Sequence, residues 1–370
     1  MNKQLKVLFL PTANAGVVWH RMFQFFRYLR DDPELSMAMD KYDPNRTNPY
    51  PWIFKENDCL SLRVQIEKLV SQADVVVIEY VISDYALCIV QILKKELFKD
   101  KLFIAEIDDY CLELNPYAPA IETYRPGGEA SSAIIDHLKI SDRVIVSTDY
   151  LGKLYRDFNK NIKLIPNGID FKIWDNLIEK KRKHKRIRIG WSGASTHSAD
   201  IKFIYPVIIK VLEKYPNVEF FFQGGFPPFL QKQHDRLYTI VKWKNMYEYP
   251  QFFKDLQYDI GIAPLLDNNF NRAKSNLKWL EYSVLKIPTI ASSVEPFKKS
   301  IIQGKTGFLC NELNEWEEAF DILIKDAQKR KEIGENAYRE IKEKFNLELI
   351  ARDYAKFLKE SHYEFIGNKK

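Results

Sequence analysis

Cysteine is scarce in this chain of 370 residues, and the few cysteines form no metal-binding or disulfide pattern. The four of them, Cys59, Cys88, Cys111 and Cys310, are scattered, with no CxxC spacing and no histidine at metal-ligand spacing. Structural zinc sites and small disulfide-rich secreted folds both need closely spaced cysteines. The sequence therefore argues against both classes of protein and favours a reducing compartment, so we expect a cytoplasmic location.

Long apolar runs are absent as well. No stretch approaches the roughly 20 consecutive apolar residues that a transmembrane helix needs. The first apolar run, residues 7–10, has only the length of a strand and lacks the small-residue cleavage site of a signal peptide. We expect a protein that is neither exported nor integral to a membrane.

The excess of positive charge is small. A net charge of +6 suits an anionic substrate, or peripheral contact with the inner face of a membrane, but it is too low for the basic surface of a nucleic-acid-binding protein. We therefore expect no nucleic-acid partner. The run EKKRKHKRIR at residues 179–188 concentrates the positive charge. One interpretation of it is a solvated linker, and the other is a phosphate-binding or membrane-surface segment.

A glycine-rich GxGxxG motif is also missing, yet strands and helices alternate along the chain. A single glycine, Gly16, follows the first predicted strand. Alternation of this kind predicts a parallel sheet with helices on both faces, and it occurs in both halves of the chain. The predicted strands cover residues 6–10, 74–79, 102–107, 143–147 and 162–165, and then 187–191, 218–223, 238–242, 259–264, 289–292 and 306–309.

The length of the chain fits two domains rather than one. We predict an α/β fold of two Rossmann-like, doubly wound parallel-sheet domains that face a cleft. The N-terminal domain is expected over residues 1–170, a basic linker over 171–186 and the C-terminal domain over 187–345. A last helix within 346–370 is expected to pack back on the first domain. The proline-rich segment 31–58 is predicted to be an irregular connection.

The most informative stretch is DIGIAPLLDNNFNRAKSNLKWLEYSVLKIP, residues 259–288. It predicts a buried strand, a loop, and a helix with Ser275 as its N-cap that ends before a proline. Within a helix, Lys274, Lys278 and Glu281 are spaced at i, i+4 and i+7 and so share one face. Two cations and one carboxylate are therefore expected at the carboxyl end of a strand, where open α/β sheets bind ligands.

Two interpretations of that helix face remain open. Lysines beside a helix N-terminus suit the diphosphate of a nucleotide, and Glu281 is placed to accept hydrogen bonds from ribose hydroxyls. The alternative is a solvated face with an ordinary Lys278–Glu281 pair, which is worth only a few tenths of a kcal/mol.

The loop after the predicted strand 187–191 offers hydroxyl groups and bare backbone. Such groups at a strand end bind anions without a metal ion, although a plain strand-to-helix turn with a hydroxyl cap has the same composition. The residues concerned are Ser192, Gly193, Thr196 and His197.

Polar residues also follow strands of the first half. Asp108 and Asp109 come directly after the predicted strand 102–107, and they are open to three interpretations: a metal pair, a general base, or residues that form a turn. His20 and Arg21 follow Gly16 at the end of the first strand. These residues make the first half a second candidate region for chemistry.

Three blocks of sequence carry a resemblance to a known family. They are PNGID at 166–170, LEYSVLKIPTIAS at 280–292 and GKTGFL at 304–309. Over nearly its whole length the chain resembles the two-domain GT-B glycosyltransferases, and among them the retaining family 4 type (glycosyl transferases group 1). The block from Lys274 to Ser292, with GKTGFL after it, is the specific part of the resemblance.

The resemblance implies a hexosyltransferase-like enzyme. It implies transfer from a nucleotide-diphosphate sugar to a hydroxyl of a glycan, or of a lipid-linked or cell-surface polysaccharide precursor. The second domain would bind this donor, with Glu281 at the ribose and basic groups at the diphosphate, and the first would bind the acceptor. We expect no cofactor and no metal ion, because no Asp-x-Asp or histidine cluster lies beside the proposed diphosphate site and the lysines can supply the charge. The donor-binding candidates are Glu281, Lys274, Lys278, Ser192, Gly193, Thr196, His197 and Asn271. On the acceptor side we expect Gly16 and Arg21, with His20, Asp108 and Asp109 as the catalytic candidates.

The chain departs from the family pattern at two places. The first glutamate of the family's glutamate pair falls at Ala273, and the Arg and Lys pair after the first strands of the donor domain is replaced by GWSGASTH at 190–197. Either Lys274 and Lys278 hold the diphosphate instead, or the chain is a non-catalytic relative that acts as a sugar-binding, nucleotide-binding or structural protein. The sequence favours the enzyme, because the charged groups remain at strand ends.

Overall fold

The computed structural model describes residues 4–12, 16–40, 59–114, 118, 120–182, 185–231, 233–242 and 244–369, except for the side chains of 59–63. The chain divides into two compact units. The first unit comprises Met1–Glu113, Thr123–Asn167 and Leu347–Lys370, and the second comprises Leu114–Glu122 and Gly168–Asn346. The limits of the two domains as independent folding units stay a prediction.

The first unit is built on a sheet of six parallel strands within the described residues. Its strands are β1 (Leu5–Leu10), β2 (Leu35–Met39), β3 (Val75–Glu79), β4 (Leu102–Ile107), β5 (Arg143–Val146) and β6 (Ile162–Leu164). Its first six helices are α1 (Gly16–Val18), α2 (Gln24–Leu29), α3 (Cys59–Ser71), α4 (Asp84–Ile92), α5 (Glu129–Ile140) and α6 (Asp149–Tyr155), and π-helical turns at Trp19–Phe23 and Leu93–Leu97 extend α1 and α4.

The second unit contains another sheet of six parallel strands in the part of the chain that is described. Its strands are β7 (Ile187–Gly193), β8 (Val218–Gly224), β9 (Leu237–Ile240), β10 (Ile260–Ala263), β11 (Thr289–Ser292) and β12 (Phe308–Cys310). Its helices are α7 (Phe171–Trp174), α8 (Ser198–Lys214), α9 (Tyr249–Asp255), α10 (Asn269–Ala273), α11 (Leu277–Val284), α12 (Phe297–Ser300), α13 (Leu313–Lys325) and α14 (Ala327–Lys344), with 3-10 turns at Ser195–His197 and Pro228–Leu230.

The central strands are buried along their whole length. Every residue of β3, β4, β10 and β11 is buried, as expected of parallel strands that are covered by helices on both faces. Hydroxyl caps start several of the covering helices: the side chain of Ser83 accepts from the Ala86 N–H at α4, and that of Thr148 accepts from the Leu151 N–H at α6. The predicted fold class, two doubly wound parallel-sheet domains, is confirmed.

The order of the strands reverses once in each sheet. In the first sheet the order is β2-β1-β3-β4-β5-β6, so the chain turns back between β1 and β3. In the second the order is β12-β11-β10-β7-β8-β9, and the reversal falls between β7 and β10. At such a reversal the loops leave the two strands in opposite directions and open a crevice at the carboxyl ends, which is where ligands bind.

The last helix, α15 (Leu347–Gly367), belongs to the first unit. It places Tyr354 in the core of that unit, with ring centroids 6.0 Å from Phe9 and 5.2 Å from Phe25. Ile350 and Leu358 join the same apolar cluster. The first sheet is therefore covered on this face by α2 and by the last helix of the chain.

Two predictions made from the sequence are wrong. Part of the segment that was predicted to be irregular forms β2, whose Leu35 pairs in parallel with Leu5 of β1. The strand sequence LSMAM has no β-branched residue, so it lacks the usual strand signal. The rest of that prediction, residues 41–58, lies outside the described residues.

The second error concerns the helix that was expected to carry three charged residues. The structure has two helices there, since the Asn268 side chain accepts from the Asn271 N–H and starts α10. Lys274 then has an extended backbone, with ψ of 158°, and α11 begins at Leu277 with Asn276, not Ser275, as its N-cap. Lys274 therefore does not share a helix face with Lys278 and Glu281.

One tight contact fixes α11 against α14 and gives a first testable prediction. A Cβ added at Gly334 of α14 would lie 1.9 Å from the carbonyl oxygen of Lys286, just beyond α11. We expect Gly334→Ala to destabilise the protein by about 1–3 kcal/mol, because the backbone must move to admit the methyl group. The urea midpoint of unfolding measures this loss.

Gly367→Ala is the matched control for this prediction. Gly367 is the last residue of α15, and an added Cβ there has nothing within 4 Å. It should leave stability unchanged or raise it by up to about 1 kcal/mol. Equal midpoints for the two variants would contradict the close approach of α14 to α11.

Candidate functional site

Two glycines allow the loops at the reversal point of the second sheet to pack closely. A Cβ added at Gly193 would lie 2.6 Å from Cζ2 of Trp191 and 3.1 Å from Nζ of Lys278. A Cβ added at Gly225 would lie 2.4 Å from the backbone nitrogen of Ser195. A glycine is therefore required at both positions. The Lys278 ammonium occupies the space next to Gly193 that a side chain would need.

A buried histidine follows this backbone. His197 ends the 3-10 turn after β7, and its Nδ1–H donates to Oδ2 of Asp200 at 2.8 Å. Its ring also makes an edge contact with Trp191, with centroids 6.0 Å apart. Burial, together with the positive charges of Lys278 and Lys274, holds the pKa of His197 well below its usual range, so its imidazole is neutral near pH 7.

Asp200 ties this histidine to the loop that follows β10. Its side chain is fully buried in the first turn of α8, and its Oδ1 accepts from the Leu266 N–H and from Nδ2 of Asn271, both at 2.8 Å. Burial raises the pKa of Asp200 to about 6, against the opposing effect of these hydrogen bonds and of Lys274 and Lys278. Near neutral pH the group is therefore a carboxylate that accepts three hydrogen bonds.

Two lysines approach the same place from the other side. Nζ of Lys278, on α11, lies 3.5 Å from Nε2 of His197 and 5.6 Å from the centroid of the Trp191 ring. Nζ of Lys274, in the break before α11, lies 4.1 Å above the ring of Phe270. Although the two lysines do not share a helix face, both act on His197, and the reversal point carries concentrated positive charge.

Glu281 lies one turn beyond Lys278 on α11 and is almost fully buried. Tyr249 of α9 donates its hydroxyl to Oε2 of Glu281 at 3.3 Å, and among the described residues no other group hydrogen-bonds to this side chain. Burial raises the pKa of Glu281 to about 7, while the Lys278 charge and the Tyr249 hydroxyl act in the opposite direction.

The remaining donor-side candidates have structural partners of their own. Ser192 lies within β7, and its hydroxyl is 3.3 Å from the buried hydroxyl of Tyr258. Asn271 is fully buried and donates to the Leu266 carbonyl as well as to Asp200. Thr196 is half-buried in the 3-10 turn. The structure therefore brings Gly193, Thr196, His197, Lys274, Lys278 and Glu281 into one region, with Ser192 and Asn271 behind it.

At the reversal point of the first sheet, the central group is a buried ion pair. Nε of Arg21 donates to Oε1 of Glu106 at 2.7 Å, and Nη1 of Arg21 donates to Oδ1 of Asn167 at 2.8 Å. Both charged side chains are about 99% buried, with exposures of 1% and 2%. Burial raises the pKa of Glu106 to about 7 although Arg21 opposes that shift.

More carboxyl groups surround this pair. Thr12, just beyond β1, donates its N–H and its hydroxyl to Oε2 of Glu79 at 2.6 and 2.8 Å. Burial and the neighbouring Asp109 raise the pKa of Asp108 well above its usual range, and Arg21 acts against them. The structure thus brings Arg21, Asp108 and Asp109 together, as the strand ends in the sequence predicted.

His20 lies beside this group on the π-helical turn. Its Nδ1 accepts from Nε2 of Gln24 at 3.1 Å, and burial together with the charge of Arg21 lowers the pKa of His20 to about 4. The imidazole is therefore neutral near pH 7 and presents Nε2–H as a donor. Gly16 is exposed at the start of α1, with nothing within 4 Å of an added Cβ.

Sequence reasoning missed two side chains of the second region. Asp200 had a local signal, because it lies three residues after His197 in the first turn of a helix, where i and i+3 side chains meet. Tyr249 had none, because its contact with Glu281 joins residues 32 positions apart.

The described residues contain no candidate metal site, since no three His, Cys, Asp or Glu side chains are grouped there so that they could hold a metal ion. No helix there is both long enough and apolar enough to cross a bilayer.

No family model matches the chain, and no curated protein matches it. Solved structures do match. HepE of Anabaena, in complex with UDP and glucose, matches with a TM-score of 0.67 at 13% identity, over 96% of this chain and 100% of that one. Sucrose-phosphate synthase of Thermosynechococcus elongatus matches with a TM-score of 0.63 at 14% identity, over 98% and 100%. A glycosyltransferase of Rickettsia africae matches with a TM-score of 0.62 at 13% identity, over 100% of both chains. At this identity the likeness establishes the GT-B fold.

The raised pKa of Glu281 predicts how stability changes with pH. In the unfolded chain a glutamate titrates near 4.3, whereas the folded protein holds its proton up to about pH 7. The folded state thus binds the proton more tightly, so the contribution of Glu281 to stability is lost as the pH rises through 7. Glu281→Gln cannot ionise, and its stability relative to the parent should improve by about 1–3 kcal/mol between pH 5 and pH 8. Urea unfolding at the two pH values measures this difference.

The exposed Glu335, which pairs with Lys286 on the surface, provides the control. Glu335→Gln should differ from the parent by the same small amount at both pH values. A constant gap between Glu281→Gln and the parent would mean that burial does not hold a proton on Glu281.

Proposed function

We propose that this protein is a retaining, metal-independent glycosyltransferase that moves a sugar from a nucleotide-diphosphate sugar to a hydroxyl of a glycan or lipid-linked acceptor. One observation carries the proposal. Two lysines and a buried carboxyl group lie at the reversal point of the second sheet, on a fold shared with glycosyltransferases solved with UDP or UDP-glucose. The non-catalytic alternative rests on Ala273, which stands where the family has its first glutamate, and on the missing Arg and Lys pair.

The donor would bind in the second unit. Lys274 and Lys278 supply positive charge near the N-terminus of α8, whose helix dipole adds to the positive potential. The bare backbone of Gly193 lets a phosphate approach the lysines closely. Glu281, one turn farther along α11, suits a hydrogen-bonded pair of ribose hydroxyls, because Tyr249 occupies only one of its oxygens.

The lysines also support the proposal that no divalent ion is needed. Glycosyl transfer leaves an extra negative charge on the departing diphosphate, and fixed cations stabilise that charge in the transition state. Lys274 and Lys278 are both close enough to act on the same imidazole, so both can act on one diphosphate. A metal ion would supply the same charge from outside the chain.

The replacement of the family's first glutamate bears on the route of the acceptor proton. Ala273 is buried at the end of α10 and offers no carboxylate. We propose that an oxygen of the departing phosphate accepts the proton of the acceptor hydroxyl, which is consistent with retention. The sugar then leaves the diphosphate and bonds to the acceptor oxygen, and no separate base is needed on the donor side.

The acceptor would bind in the first unit. His20 presents a neutral imidazole with Nε2–H as a donor, and burial raises the pKa of Asp108 well above its usual range. A neutral imidazole hydrogen-bonds a hydroxyl without charging it, so it suits the orientation of an acceptor. Arg21 already holds Glu106 and Asn167 and keeps the carboxyl groups around it in place.

Donor binding is tested first. A thermal-shift screen of sugar nucleotides with different bases should give at least one ligand, because a ligand at 100 times its Kd adds about 2.7 kcal/mol of stability. At pH 8, where Glu281 is ionised, Glu281→Gln should weaken that ligand by about 1.5–3 kcal/mol, or roughly 10- to 150-fold in Kd, since a charge-assisted hydrogen bond is lost. Titration calorimetry measures the two affinities, and Glu335→Gln is the control with the parent's affinity.

Transfer is tested next, with the sugar nucleotide from the screen and a panel of glycan and lipid-linked acceptors. His20→Ala and Asp109→Asn should lower transfer about 100-fold, as expected for a misplaced acceptor, while donor Kd stays at the parent value. Asp353→Asn, at an exposed pair with Lys163, is the control. Turnover should persist in EDTA.

Three outcomes would count against parts of this proposal. Donor binding without transfer to any acceptor would favour the non-catalytic relative. Loss of turnover in EDTA, restored by Mg²⁺ or Mn²⁺, would place a metal ion in the reaction. Normal transfer combined with weaker donor binding in both first-unit variants would reverse the roles of the two units.

A further inference from the structure

A line of three charged or titratable side chains crosses the second region. Asp200 accepts from Nδ1–H of His197 at 2.8 Å, and Nε2 of the same ring faces Nζ of Lys278 at 3.5 Å. These side chains come from α8, the turn after β7, and α11. The imidazole is therefore held between a carboxylate and an ammonium group.

Asp200 has little freedom to respond to a change at the ring. Its two oxygens accept three hydrogen bonds, from His197, the Leu266 N–H and Asn271, and its side chain has no exposed surface. With the carboxylate fixed, the ring keeps its proton on Nδ1. The lone pair of Nε2 then points toward the lysines, and this is the atom that gains a proton if the ring becomes charged.

In the protein without a ligand, the charges that face His197 favour the neutral ring. Lys278 from α11 and Lys274 from the preceding break act against a second proton, as burial does, and Asp200 from α8 acts in its favour. Trp191 of β7 contributes an aromatic edge without charge. Among the described residues, no further titratable group shifts the pKa of the ring.

A diphosphate bound by the lysines would reverse this balance. Its negative charges would offset Lys274 and Lys278, which are the two charges that oppose protonation of the ring. The carboxylate of Asp200 would remain in place on the other side. A protonated ring would then donate from Nδ1 to Asp200 and from Nε2 to a phosphate oxygen, and both bonds would be charge-assisted.

We propose that His197 takes up a proton from solvent when the diphosphate of a donor binds, and that Asp200 is the positioning residue that holds the resulting imidazolium. The inference rests on the proposed function, because it needs a diphosphate at this site. The imidazolium would supply a third cation beside Lys274 and Lys278, at the loop where the chain lacks the Arg and Lys pair of the family it resembles. His197 would thus be uncharged in the free protein and positive in the complex.

The proton is counted by titration calorimetry in buffers that differ in their ionisation enthalpy. UDP-glucose is the probe, because both its phosphates are diesters and stay fully ionised near pH 7, so the ligand itself exchanges no proton. At pH 7 the parent protein should take up close to one proton more for each UDP-glucose bound than His197→Gln does, because any proton that Glu281 releases on binding is common to both. His197→Gln should also bind at least tenfold more weakly. His362→Gln, in α15 of the first unit, should match the parent.

Asp200→Asn tests the positioning role, since an asparagine keeps the size of the side chain but cannot balance an imidazolium. Its uptake should fall well below that of the parent, while the thermal transition shows whether it has folded. Nitrogen-15 NMR of the parent ring provides a measurement that needs no variant. It should show a proton on Nδ1 alone in the free protein and on both nitrogens in the complex.

Equal uptake in the parent and His197→Gln would overturn the inference and leave the proposed function standing. A ring that keeps a bare Nε2 in the complex would do the same. If neither UDP-glucose nor any other sugar nucleotide binds, the proposed function itself fails, and this inference fails with it.

Discussion

The second region depends on one buried carboxylate. Asp200 holds the turn after β7, through His197, against a segment that lies 66 to 71 residues later, through the Leu266 backbone after β10 and through Asn271 of α10. Removing a carboxylate in such a place leaves several buried donors without a partner, and each costs about 1–3 kcal/mol. The positions of His197 and of the break that carries Lys274 therefore follow from a residue that does not itself face the ligand region.

The sequence predicted the fold well because parallel strands that are buried on both faces leave a strong signal. Runs such as those of β4 and β11 were placed with their observed limits, since they are short, apolar and bounded by polar residues. β2 was missed because an edge strand gains its structure from pairing with β1 and not from its own composition. Local patterns thus identify the centre of each sheet better than its edge.

The site was predicted less completely than the fold. The grouping of Lys278 and Glu281 followed from helical spacing, and the structure keeps them on one helix. The position of Lys274 did not follow, because the Asn268 cap starts a separate short helix, α10, which ends at Ala273 and leaves Lys274 with an extended backbone. The Tyr249–Glu281 contact lies beyond any local pattern, since it depends on how α9 packs against α11.

In the buried ion pair of the first unit, burial and charge act on the pKa of Glu106 in opposite directions. Glu106 keeps a raised pKa although Arg21 lies 2.7 Å away, because the cost of removing a carboxylate from water exceeds what a single partner returns. Asp108 shares the same environment. Burial thus raises the pKa of carboxyl groups in both regions, and in the second region burial and the lysines together lower the pKa of His197.

The place of α15 has a consequence for how the protein is made. The core around Phe9 and Phe25 is closed by Tyr354, which the ribosome adds only after the entire second unit. The part of the chain that emerges first is thus the part whose core is completed last, contrary to the usual order in which an N-terminal domain folds before the next one is made. While the second unit is being synthesised, the apolar face beside β1 has α2 but lacks the second of its two covering helices. A nascent chain of this protein would therefore offer chaperones a long-lived hydrophobic surface on its first unit.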